Sequence, residues 1–126
     1  MKQKVNPVIW FEIPVADLER ARAFYEAVFG QRLTVVDTGP RQMAMFPMET
    51  EALGASGALV KEEYFVPSYA GTMVYFSVDD IAGILQKVAA NNGKELIPKT
   101  SIGGYGFCAY FEDSEGNRIG LHTMQE

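Results

Sequence analysis

The chain repeats itself at an offset of 63 residues, and few small folds accommodate such a duplication within one domain. Phe11-Glu12-Ile13-Pro14-Val15-Ala16-Asp17-Leu18 corresponds to Val74-Tyr75-Phe76-Ser77-Val78-Asp79-Asp80-Ile81. The register continues without a gap through Gly30/Gly93, Leu33/Leu96 and Gly57/Gly120. Two copies are too few, and the period too long, for a solenoid or a propeller. Each half alone would leave an apolar face poorly covered. Two supersecondary units are therefore expected to pack into one domain and enclose a space between them.

The 126 residues suffice for a single core that buries roughly 65–70% of the unfolded surface. A net charge of −5 argues against nucleic acid or an anionic membrane as partner, since phosphate binding needs a basic patch. No apolar run approaches the roughly 20 residues that span a bilayer. The start, Met1 to Pro7, carries two lysines but no apolar stretch before the first strand, so it does not read as a signal peptide. The single cysteine, Cys108, permits neither an intrachain disulfide nor a thiolate zinc cluster. A cytoplasmic protein is the expectation.

Residues 8–15 alternate as a strand, with Ile9, Phe11, Ile13 and Val15 on one face and Val8, Trp10, Glu12 and Pro14 on the other. Asp17 suits a helix N-cap, and Leu18, Ala21, Tyr25 and Val28 follow at helical spacing, with Phe24 and Phe29 widening the stripe. Gly30 closes that helix. Strands are predicted near 32–37, 41–47 and 56–62, with a loop from Met48 to Gly54. The second half repeats the order: a strand over 72–78, a helix capped by Asp80 and ended by Gly93, and strands near 95–99, 105–112 and 117–123. Asp113-Ser114-Glu115-Gly116-Asn117 has the chemistry of the turn between the last two. Each half thus reads β-α-β-β-β in an α+β fold, with module one about 7–62, a connector about 63–71 and module two about 72–124. Tyr64, Phe65 and Tyr69 on the connector suit either a cap over the cavity or an interface.

A helix is the only large apolar surface in each unit that can cover a sheet. Phe11, Ile13 and Val15 are expected beneath it. Trp10 and Glu12, like Met73, Tyr75 and Ser77, are expected on the opposite face. Those open faces are expected to curve towards each other and line a cavity.

Glu12-Ile13-Pro14-Val15-Ala16-Asp17-Leu18-Glu19-Arg20-Ala21, with Phe24-Tyr25 and Phe29-Gly30, resembles the opening of the glyoxalase/bleomycin resistance/dioxygenase superfamily, also called vicinal oxygen chelate. Val78-Asp79-Asp80-Ile81 and Asp113 to Ile119 resemble its second-half signatures, so the likeness covers about residues 8–123. It implies paired βαβββ modules around a U-shaped cavity, commonly in a homodimer. It also implies a divalent metal held by His, Glu or Gln of the first and last strands of each module. By motif spacing those positions are Trp10, Gly57, Met73 and Gly120, none of which supplies an oxygen or imidazole ligand. The usual metal centre is expected to be missing, and no cofactor is predicted.

Two residues further along the same strands lie Glu12, Leu59, Tyr75 and His122, all expected to face the cavity. Glu12 and His122 suit an acid/base pair, with Tyr75 donating to a substrate oxygen; the plainer reading is that they satisfy each other or the backbone. A metal at Glu12 and His122 would need Cys108 or Asp113 as third ligand, and these are better explained by core packing and by the turn. Trp10, Met73 and Tyr75, with Met43, Met45 and Met48 as further candidates, read as walls of an apolar pocket or as interior packing. Gly103-Gly104-Tyr105-Gly106 is no phosphate loop, because no helix or Lys-Ser/Thr pair follows it.

Two classes of function remain. One is a metal-free protein that binds or sequesters a small molecule, similar to the bleomycin-resistance branch, as an acidic homodimer with an aromatic-lined cleft. The other is a glyoxalase-like lyase or isomerase, or a related enzyme, using Glu12 and His122 with or without a displaced divalent metal.

Overall fold

The structure, a computed structural model, describes residues 5–126; Met1 to Lys4, part of the start read above as no signal peptide, lie outside the described residues. Module one comprises β1 (Trp10–Pro14), α1 (Leu18–Phe29), β2 (Thr34–Asp37), β3 (Arg41–Met45) and β4 (Ser56–Glu62). Module two comprises β5 (Tyr75–Ser77), α2 (Ile81–Ala90), β6 (Lys94–Ser101), β7 (Phe107–Glu112) and β8 (Arg118–Thr123), with one 3₁₀ turn at Gly103–Tyr105. Each forms a four-stranded sheet, in the orders β1-β4-β3-β2 and β5-β8-β7-β6. The first strand of each runs parallel to the last, and the other pairs are antiparallel. This is the β-α-β-β-β order expected for each half. Among the described residues no helix is long and apolar enough to cross a membrane.

The helix caps follow the duplicated sequence. Asp17 accepts a bond from the Arg20 amide at 3.0 Å, and Asp80 accepts one from the Gly83 amide at 3.0 Å. Gly30 ends α1 with φ 68°, the left-handed conformation that favours glycine. Gly93 does not play the matching part in α2. Asn92 takes the left-handed position at φ 71°. Gly93 is needed for close packing, because a Cβ there would lie 2.7 Å from Val88 and 2.8 Å from both Phe24 and the Glu112 carbonyl.

One core holds the domain together, and it lies between the two sheets. Phe11, Ile13, Phe46 and Leu59 of module one share it with Phe76, Phe111, Ile119 and Leu121 of module two. The α1 ring of Phe29 stacks on Phe76 at 4.6 Å, Tyr25 contacts both Phe46 and Phe76, and Phe24 reaches Phe111. The helix α1 therefore packs on both sheets at once. The modules meet through their helix-bearing faces, so the open faces point outwards. The expected enclosure between open faces is not built within one chain: the helices carry the large apolar surfaces, and those bury each other first. Ile9, expected on the buried face, precedes β1 and stays 76% exposed.

Polar contacts pin the modules together at one end. Glu115, in the β7–β8 turn, accepts bonds from the Ala16 and Asp17 amides at 3.0 and 2.9 Å and from Arg20 Nε at 2.7 Å. Burial works to raise the Glu115 carboxyl, but the Arg20 bond and the two amides outweigh it and hold it below its ordinary value. Beneath, buried Asp113 accepts from the Tyr25 hydroxyl at 2.7 Å and from Asn117, whose side chain also donates to the Pro14 carbonyl. Removing only the hydroxyl with Tyr25→Phe leaves Asp113 short of a buried donor. Urea denaturation is expected to show a loss of about 1–3 kcal/mol with an unchanged m-value. An unchanged midpoint would mean that the inter-module bond contributes nothing.

Candidate functional site

On the open face of the first sheet, β1, β3 and β4 bring together Trp10, Glu12, Arg41, Met43, Met45, Ala58, Val60 and Glu62. The register shows why: Glu12 lies opposite Ala58, Arg41 opposite Glu62, Met43 opposite Val60 and Met45 opposite Ala58. Paired residues share a face.

Glu12 sits mid-strand with a side chain 25% exposed. Arg41 meets it as a two-pronged fork, Nη1 to Oε2 at 2.7 Å and Nη2 to Oε1 at 2.8 Å, and the Trp10 ring nitrogen donates to Oε2 at 3.2 Å. This is the paired, charge-assisted geometry that makes a half-buried carboxylate tolerable. Arg41 also donates from Nε to Glu62 at 3.3 Å, and its guanidinium lies 5.5 Å over the Phe65 ring of the connector. The Arg41 bond holds the Glu12 carboxyl below its ordinary value against the opposing effect of burial. Both oxygens of Glu12 accept bonds, two on Oε2 and one on Oε1, so Arg41 and Trp10 fix the carboxylate in place.

On the open face of the second sheet lie Tyr75, Ser77, Cys108, Tyr110, Gly120 and His122. The Tyr75 and Tyr110 hydroxyls are 2.7 Å apart, and that bond, with burial adding to it, pushes Tyr110 up to about 12. His122 lies 2.6 Å through Nε2 from the Tyr105 carbonyl. A carbonyl only accepts, so Nε2 carries the proton and donates. Cys108 is buried directly across β7–β8 from His122.

The structure does not bring Glu12 and His122 together in one chain, since they stand on sheets whose open faces diverge. Leu59 is not a cavity residue: it is fully buried in the core beside Ile13. Gly57 shares that inward face, where a Cβ would lie 2.2 Å from the Phe11 carbonyl oxygen. Both were placed by the offset of 63, but the last strands correspond at 62, because Glu12 lies opposite Ala58 and Tyr75 opposite Gly120. One residue of slip exchanges the faces of a strand. The position related to Gly120 is thus Ala58. Trp10, Met43, Met45 and Tyr75 lie on open faces as expected, and Met48 is exposed in the β3–β4 loop. Asp113 serves the turn and the module contact.

Arg41 is the residue that sequence reasoning missed. It shares the period-two pattern of Met43 and Met45, which places its charge on the face of Glu12.

The metal that the resemblance implies does not fit these residues. Ala58 has no donor atom, and the Trp10 nitrogen only donates and is already bonded to Glu12. A Cβ at Gly120 would lie 2.6 Å from the Tyr75 ring, so that ring fills the space a longer side chain would need. Among the described residues no group of three or more His, Cys, Asp and Glu is placed to hold an ion.

The bleomycin resistance protein-like N-terminal family matches residues 8–49. A glyoxylase-like domain-containing protein of Didymella fabae is 32% identical over 116 residues, covering 89% of each chain. Among solved structures, a glyoxylase/bleomycin resistance protein/dioxygenase domain from Frankia gives a TM-score of 0.73 at 14% identity, over 95% of this chain and 98% of that one. Glyoxalase I from Zea mays gives 0.69 at 23% identity over 94% of this chain, which spans only 46% of the maize protein. At these identities the two structures show likeness of fold alone.

The ion pair makes a pH prediction. A carboxyl lowered from 4.5 contributes stability that is present above that value and lost as pH falls through the folded-state value. Wild type is expected to lose stability on acidification below about pH 4.5, and Glu12→Gln to lack that part of the loss. Arg41→Met, which strands the carboxylate, is expected to cost about 1–3 kcal/mol at neutral pH in urea denaturation. Parallel acid limbs for wild type and Glu12→Gln would contradict the assignment.

Proposed function

This chain belongs to the glyoxalase/bleomycin resistance/dioxygenase superfamily, and from that membership we propose that it is a homodimeric protein that binds or sequesters a small organic molecule without the metal usual to the superfamily. The observation that carries the reading is the state of Glu12. Its carboxylate lies opposite Ala58 and is bonded to Trp10, two of the positions where the resemblance implies metal ligands, and Arg41 and Trp10 hold it on both oxygens. A carboxylate whose charge and orientation are set by a guanidinium fork shapes and polarises a binding surface, and its lowered proton affinity makes it a weak general base.

The outward open faces support the dimer. Each is a half-cleft in one chain: Trp10, Arg41, Met43 and Met45 on one, and Tyr75, Tyr110 and His122 on the other. A second copy related by two-fold symmetry would oppose the first face of one chain to the second face of its partner, giving two equal clefts. That pairing would also set Glu12 across from a partner's His122, which keeps their sequence-level association as an intermolecular one.

Protein purified without chelator or affinity-tag metal is expected to contain no stoichiometric metal. Zn²⁺, Ni²⁺, Mn²⁺ and Fe²⁺ are expected to leave its melting temperature unchanged. Stoichiometric metal, with stabilisation approaching about 2.7 kcal/mol at a hundredfold excess over Kd, would overturn the metal-free reading.

A further inference from the structure

The second module carries a recess beside the Tyr75–Tyr110 pair. Tyr69 of the connector, Met73 ahead of β5, Leu96 and Ile97 of β6, Tyr110 of β7 and Arg118 at the head of β8 enclose about 360 Å³. That volume lies within the roughly 300–1,000 Å³ of small-molecule sites. Its construction departs from a regular sheet. Consecutive residues of a strand normally face opposite ways, yet Leu96 and Ile97 both line the recess. The β6–β7 register shifts between Glu95 and Ile97, leaving Leu96 unpaired, and such a bulge re-aims a side chain. Ile97 remains 47% exposed, an aliphatic surface without cover in the single chain.

Arg118 is the charged residue in this apolar lining. Its cross-strand partner is Glu112, but Glu112 accepts from the Tyr69 hydroxyl, and among the described residues Arg118 takes part in no ion pair. A guanidinium in no ion pair among the described residues, set beside methionine, leucine and isoleucine in the same lining, suits an oxyanion attached to an apolar body, and a carboxylate matches its planar fork. The paired hydroxyls of Tyr75 and Tyr110 give the same face further polar character.

We propose that this recess binds a small carboxylate with an apolar or aromatic body, the body lying against Met73, Leu96 and Ile97 and the carboxylate held by Arg118. The proposal rests on the small-molecule reading above and narrows it to a ligand class.

The test is an NMR titration of ¹⁵N-labelled protein with dihydrocinnamate and with its neutral amide, two probes alike in body and different in charge. Dihydrocinnamate is expected to shift the amide signals of Leu96, Ile97 and Tyr110. The neutral amide is expected to bind about tenfold more weakly, the worth of a charge-assisted bond. Arg118→Met is expected to erase the difference, and Arg118→Lys to keep part of it, with signals of the core unmoved in both. Equal affinity for acid and amide, or a preference that survives Arg118→Met, overturns the ligand class. Shifts confined to Trp10, Met43 and their neighbours overturn the recess while leaving the binding reading standing. An absence of shifts anywhere, with either probe, overturns the recess as a carboxylate site, and a wider screen of neutral and cationic compounds then tests the binding reading separately.

Discussion

Everything in this molecule follows from the way the two helix-bearing faces bury one another. Phe29 on Phe76, Tyr25 between Phe46 and Phe76, and Phe24 on Phe111 join helix one to both sheets. Such aromatic contacts contribute beyond the area they bury. The Glu115 and Asp113 bonds to Ala16, Asp17, Arg20 and Tyr25 then fix the angle at which the modules meet. With the inward faces spent on each other, the outward ones stay open, and in the proposed dimer each would form half of a cleft.

The polar groups of those outward faces are engaged with one another. On the first sheet a carboxylate, a guanidinium and an indole satisfy one another, and a second carboxylate, Glu62, shares the cation. Desolvating such a set is tolerable only because each charge keeps its partner. On the second sheet the hydroxyls of Tyr75 and Tyr110 pair, and His122 donates to a carbonyl. In the binding reading proposed above, groups engaged in this way would give a ligand an ordered surface that needs no rearrangement.

Much of this was legible in the sequence. The duplicated apolar patterns, the Asp17 and Asp80 caps and the Asp113–Asn117 turn specified two βαβββ units, because local chemistry determines such elements. The faces of β1 followed from alternation, which put Trp10 and Glu12 outside and Ile13 inside. What failed was non-local. The offset between copies changes by one residue in the last strand, and alternation turned that single slip into wrong faces for Gly57 and Leu59. The partner of Glu12 could not be read either, since Arg41 is 29 residues away and meets it only once β3 and β1 flank β4. The direction in which the modules face each other is decided by which apolar surfaces are larger, a comparison that strand patterns alone do not make.

The most direct test of this account is whether the two open faces meet between copies. In an isotope-filtered NMR experiment on a mixture of labelled and unlabelled protein, intermolecular contacts are predicted between the Trp10 indole or Met43 and Met45 methyls of one copy and the Tyr75, Tyr110 or His122 rings of another. Intermolecular contacts confined to other surfaces, or a monomer at every concentration that NMR reaches, would contradict a cleft completed by a second copy.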